Sequence, residues 1–140
     1  MRAALVFGFT ILTVFQTISS HAPNDDPAVK ECTTELNLAP DFLKHFEQHG
    51  KVLDESHKNS KCFFFCVKQK NGIISDSGNL NHDKFVNHVS RFHSNIPKDK
   101  FTELSVKCYD ASTSYSDSCE KYYNFATCIH SEVSNFTNLY

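Results

Sequence analysis

The sequence predicts an all-α domain of about six short helices. Three observations carry that reading. Apolar residues recur every three to four positions in successive stretches, the period of one helix face. Capping and breaking residues flank those stretches. No stretch alternates with period two for long enough to make a strand.

The first helix opens at Asp26-Pro27, with Asp as N-cap and Pro at the first helical position. Val29, Cys32 and Leu36 form its stripe, and Pro40 ends it. A short second helix starts at Pro40-Asp41, carries Phe42, Leu43 and Phe46, and stops at Gly50. Val52 to Asn59 reads as a loop or a single turn. The third helix runs from about Ser60 to Asn71, with Gly72 placed to cap it. Ile73-Ile74 is an apolar connector, and Asp76 to Asn79 is a turn. Asn81 or Asp83 caps a fourth helix whose stripe is Phe85, Val86, Val89 and Phe92, and Asn95-Ile96-Pro97 breaks it. A fifth carries Phe101, Leu104 and Cys108, followed by a small polar loop from Ser112 to Ser118. A sixth carries Cys119, Tyr122, Phe125, Ala126 and Ile129. From Ser131 to Tyr140 polar residues mix with Val133, Phe136, Leu139 and Tyr140, and the segment reads as a tail.

Residues 1–20 have a different character. Arg2 supplies a positive start, Ala3 to Val14 is almost unbroken apolar sequence, and Thr17-Ile18-Ser19-Ser20 ends small. This is the pattern of a secretory signal peptide cleaved near Ser19 or Ser20. The apolar run is shorter than the ~20 residues a spanning helix needs. The expectation is a secreted, extracellular protein with one domain over residues 21–140. The formal net charge of −2 leaves no basic footprint for nucleic acid and no polybasic patch for lipid. All six cysteines lie beyond the leader, and an even number in a small secreted chain reads as a disulfide framework.

Helix geometry restricts that framework. Cys62 and Cys66 stand one turn apart on one face, with Cβ atoms about 5–6 Å apart against the roughly 3.5–4.5 Å of a disulfide. Nine residues of helix separate Cys119 from Cys128 by about 13–14 Å, beyond the limit near 7 Å. Excluding both leaves ten of the fifteen pairings that six cysteines allow, and geometry goes no further.

The spacing C-x29-C-x3-C-x41-C-x10-C-x8-C, read at Cys32, Cys62, Cys66, Cys108, Cys119 and Cys128, resembles the six-cysteine pattern of the insect odorant-binding proteins, pheromone-binding and general odorant-binding members included. The x3 and x8 intervals are the characteristic ones. The resemblance covers the domain from its first helix to its sixth, including the CFFFC helix and the Gly72-Ile73-Ile74 that follows. It implies a compact bundle stapled by three interleaved disulfides, Cys32–Cys66, Cys62–Cys119 and Cys108–Cys128, around a hydrophobic cavity. It also implies a non-enzymatic carrier, without cofactor, that binds one small hydrophobic molecule of odorant or pheromone type. The carrier would solubilise that ligand in extracellular fluid and deliver it to a membrane receptor, working as a monomer or weak homodimer. A second reading keeps the fold but makes it a scavenger or a signalling protein that acts through its surface in another fluid.

For the wall of such a cavity the candidates are Phe63 and Val67 on one side of the third helix, and Ile74 after it. Phe85, Val89 and Phe92 come from the fourth helix, Leu104 from the fifth, and Tyr123, Ala126 and Ile129 from the sixth. Phe125 is expected nearer the core, and Tyr123 is the expected polar handle. Phe136 is a candidate to close the cavity. Asn135-Phe136-Thr137 is a glycosylation sequon, and a glycan on Asn135 would compete with that role.

Other signals carry less. His45 and His49 have a metal-ligand spacing but no further ligand in an obvious motif, so the expectation is no metal. Asp76 to Leu80 lacks the closing Glu of a calcium loop. No G-x-S-x-G or H-E-x-x-H is present, and six paired cysteines leave no thiol nucleophile. The eight histidines allow a pH-driven ligand release, but read first as surface residues without a switch.

Overall fold

The computed structural model describes residues 26–138. The expected leader over residues 1–20, the domain start at residue 21 and the last two residues lie outside that part. Helix α1 spans Pro27–Glu35, and Asp26 Oδ1 accepts the Ala28 N–H at 2.9 Å to open it. Helix α2 spans Phe42–His49 and closes at Gly50, whose left-handed φ of 67° lets its N–H reach Phe46 O. Helix α3 spans Lys58–Lys70, beginning slightly before the expected Ser60. Gly72, at φ 64°, turns the chain so that the Ile73 N–H donates back to Lys68 O at 2.9 Å. Helix α4 spans His82–Val89, capped by Asn81 through the Lys84 N–H. Helices α5, Lys98–Ser112, and α6, Ser118–Thr137, complete the set, with Asp117 accepting from the Glu120 N–H at the start of α6.

Two boundaries differ from expectation. Helix α4 stops at Val89, and Phe92 sits in the following turn, where its N–H donates to Val89 O at 3.0 Å. Helix α6 continues to Thr137, so most of the expected tail is helical. Ile129, Val133 and Phe136 extend its apolar stripe at i, i+4, i+7 and pack on the core, which outweighs the polar residues between them. Among the described residues the β-structure is an isolated bridge between Ile74 and Leu80 around the Asp76–Asn79 turn.

Helices α3 and α6 form the central pair, α5 packs on α6 and α4, and α1 packs on α3. Disulfides join α1 to α3 (Cys32–Cys66, Cα–Cα 6.0 Å), α3 to α6 (Cys62–Cys119, 4.3 Å) and α5 to α6 (Cys108–Cys128, 5.6 Å). The order is interleaved: first to third, second to fifth, fourth to sixth. Helices α2 and α4 carry no cysteine and are held by packing and polar contacts. Phe46 and Phe85 are buried, His130 Nε2 contacts Glu47 O at 2.8 Å, and His82 Nδ1 contacts the buried Ser105 Oγ at 2.7 Å. The bridged helices thus form a fixed frame, with α2 and α4 as side walls.

Candidate functional site

Between that frame and its side walls lies a cavity of about 520 Å³, within the range of small-molecule pockets. Helix α3 contributes Phe63, Phe64, Val67 and Lys68, the i, i+1, i+4, i+5 positions of one face. Helix α6 contributes the same pattern over three turns, from Phe125 and Ala126 to Val133 and Ser134. Phe85, His88 and Val89 come from α4, Leu43 and Phe46 from α2, and Val29 from α1. The wall is aromatic because α3 presents consecutive phenylalanines. Phe63 and Phe64 stand edge to face with centroids 5.4 Å apart, and Phe85 meets Phe125 the same way at 5.0 Å.

Of the residues expected at such a wall, Phe63, Val67, Phe85, Val89, Phe92, Ala126 and Ile129 lie on it. Ile74, Leu104, Tyr123 and Phe136 lie elsewhere. Ile74 is buried in the bridge with Leu80. Leu104, 1 % exposed, belongs to α5, which backs α4 and α6 and contributes no wall residue. Tyr123 sits at the first turns of α6, beyond the cavity, with its hydroxyl taken by the 52–55 loop. Phe136 packs half-buried at the edge of the core. Phe125 is fully buried, as expected of a core residue, yet its ring also forms part of the wall.

The wall residues that sequence reasoning missed include Phe64, Ile73 and Lys68. Lys68 had a legible signal: it stands four residues after Phe64, on the same face.

Polar groups form two sets. Glu47, His93, His130 and Ser134 form one, and the exposure of Glu47 and His93 places it where the cavity meets solvent. Asp26, Lys68 and His88 form the other, with His88 Nε2 3.7 Å from Asp26 Oδ2. Burial lowers the pKa of His88 although the Asp26 carboxylate opposes it, so this imidazole is uncharged at neutral pH. Burial lowers His93 as well, assisted by His130. Burial brings Lys68 down to about 8. Its ammonium lies 5.7 Å from the Phe64 ring centre and 5.6 Å from that of Phe125.

Among the described residues no three His, Cys, Asp or Glu side chains converge to hold a metal; His45 and His49 stack on each other with centroids 4.5 Å apart. No helix there is long and apolar enough to cross a membrane. The arrangement can enclose an apolar molecule and offer it a few polar contacts.

Comparison with known proteins agrees with this geometry. The family described as PBP/GOBP matches residues 24–132. Among solved structures, the crystal structure of pheromone binding protein 3 of Epiphyas postvittana is similar, with a TM-score of 0.63 and 18 % identity over 77 % of this chain and 94 % of that one. At that identity the likeness speaks for the fold alone. No curated protein matches the chain.

Proposed function

From the premise that this chain belongs to the PBP/GOBP family, we propose that it is a secreted carrier that takes one small hydrophobic molecule into the α3/α6 cavity and delivers it to a membrane receptor. Members of the family are odorant- and pheromone-binding carriers, not enzymes. The observation that carries the proposal is the cavity itself, about 520 Å³ walled by phenylalanines and aliphatic side chains. Binding there removes apolar ligand surface from water at roughly 25 cal/mol per Å². In this reading Phe63, Val67, Phe85, Val89, Phe92, Ala126 and Ile129 contact the ligand. Residues 1–20 act as the leader, and Asn135, exposed on α6, accepts a glycan that points away from the cavity.

The test is displacement of an apolar fluorescent probe from the oxidised protein by a panel of volatile alcohols and aldehydes. Saturable, one-to-one displacement in the micromolar range is expected. Ala126→Trp, which fills the cavity from α6, should abolish it while leaving the helical circular dichroism intact. A correctly bridged protein that takes up no probe would overturn the carrier reading and move the function to the surface. Mass spectrometry of protein secreted from insect cells tests the leader: a mature chain beginning close after Ser20 is expected.

A further inference from the structure

We propose that the cavity selects ligands with a carboxylate head group, held by Lys68 at the floor between Phe64 and Phe125. This deepens the carrier reading and rests on it.

Lys68 is the α3 lysine that turns inward. Lys58, Lys61 and Lys70 reach Asp117, Glu120 and the Glu31/Glu35 pair respectively, all at 3.4 Å or less. For Lys68, no carboxylate oxygen among the described residues comes within 4.0 Å. Among the described residues its ammonium makes one hydrogen bond, a long one of 3.5 Å to Phe64 O in its own helix. Two aromatic rings cover the ammonium, and both belong to buried residues of the cavity wall. Ring faces attract a cation but supply neither a counter-charge nor an acceptor.

The neighbouring groups do not fill that role. Asp26 is committed: Oδ1 caps α1 through Ala28, while Oδ2 accepts from Asn71 Nδ2 at 2.7 Å and faces His88. His88, from α4, is uncharged at neutral pH, and Arg91 beyond it adds positive potential. Glu47, His93 and His130 form their own set at the solvent end, where Glu47 answers to His130. The floor therefore combines apolar walls with a positive charge that has no carboxylate partner among the described residues. A ligand carboxylate supplies the missing acceptor and counter-ion together, in a charge-assisted hydrogen bond. Its alkyl chain then lies along Phe63, Val67, Phe85, Val89 and Ile129. An alcohol of equal length matches the chain contacts but offers only a neutral partner.

The pH dependence follows. Lys68 loses its proton around pH 8 in the empty protein, so preference for the carboxylate is full at pH 7 and fades above pH 8. Burial lowers the pKa of His88 and of His93, so both stay neutral over that range and leave the trend to Lys68.

The experiment compares decanoate with decanol, by displacement of an apolar naphthylamine probe from the full oxidised protein at pH 7 and pH 9.5. Wild type, Lys68→Met and Lys68→Arg are measured, each with its three disulfides verified. Decanoate should bind at least about tenfold tighter than decanol at pH 7. That ratio should collapse toward one in Lys68→Met at either pH and in wild type at pH 9.5, whereas Lys68→Arg keeps it at both. Equal binding of the two ligands by wild type at pH 7 overturns the proposal and leaves the carrier reading standing. So does a preference that survives Lys68→Met. Failure of both ligands and the probe to bind overturns the carrier reading and this inference with it.

Discussion

Tyr123 donates its hydroxyl hydrogen to Glu55 Oε1 at 2.6 Å, while its own phenol oxygen accepts from the Val52 N–H at 3.4 Å. One buried phenol therefore pins the loop between α2 and α3 to the start of α6. A side chain with the composition of a ligand handle is occupied by the protein itself.

Tyr123→Phe should accordingly act on stability. Losing both contacts strands the N–H of the buried Val52 at a cost of about 1–2 kcal/mol, while the exposed Glu55 carboxylate stays solvated. Urea unfolding measures that loss, and titration with a neutral apolar probe should give the wild-type affinity. A large drop in probe affinity with unchanged stability would instead return Tyr123 to the cavity.

Gly50 is constrained twice. Its φ of 67° disfavours any side chain, and a Cβ there would sit 2.6 Å from His130 Nδ1, in the ring that anchors α6 to Glu47 O. Gly50→Ala should destabilise by roughly 1–3 kcal/mol. Adding His130→Ala removes the clash but not the strained φ. The double variant should therefore fall short of the sum of the two single losses, measurable as a non-additive cycle in denaturant unfolding.

Local chemistry made much of the fold legible. Asp26-Pro27, Asn81 and the glycines at 50 and 72 act within a few residues of themselves, and each does in the structure what its type dictates. The end of α6 was harder to read, because Val133 and Phe136 stabilise helix only by meeting a distant core. The cavity was legible in part for a related reason. Periodicity says that a position is buried, not whether it faces packed protein or a void. Leu104 and Phe85 carry equally good stripes, yet only Phe85 looks into the cavity, because α4 is a side wall and α5 stands behind it. Lys68 stood on a legible face, four residues after Phe64, but its type argued against an inward position, since lysines usually keep their charge in water.

The three bridges should differ in weight. Chain-entropy arguments assign more to longer loops, about 4 kcal/mol for the 57-residue separation of Cys62–Cys119 and about 3 kcal/mol for the 20-residue separation of Cys108–Cys128. Cys62–Cys119 also joins α3 to α6, the two helices with the largest share of the wall. Replacing that pair by serines should lower the melting temperature more than replacing Cys108 and Cys128. It should also weaken probe binding at temperatures where the variant remains folded. The reverse order in calorimetry would mean that the frame depends chiefly on α5.

Lys68→Met should stabilise the empty protein at neutral pH, and the gain should shrink in alkali. Burial holds the Lys68 pKa at about 8, below the ordinary 10.5, so folding disfavours its charged form. Below pH 8 both folded and unfolded chains carry the proton, and the full penalty applies. Between pH 8 and 10.5 the folded chain has lost that proton while the unfolded chain keeps it. Wild-type stability attributable to this group therefore rises with pH across that window. Methionine, similar in length and uncharged, escapes the penalty at every pH. The residue is only half-buried, which discounts the gain to about 1–3 kcal/mol at pH 7. Parallel urea unfolding of both proteins at pH 7, 8.5 and 10 cancels the other titrating groups in the difference. A difference that grows with pH, or a variant less stable than wild type at pH 7, would mean that the ammonium has a partner in the folded chain.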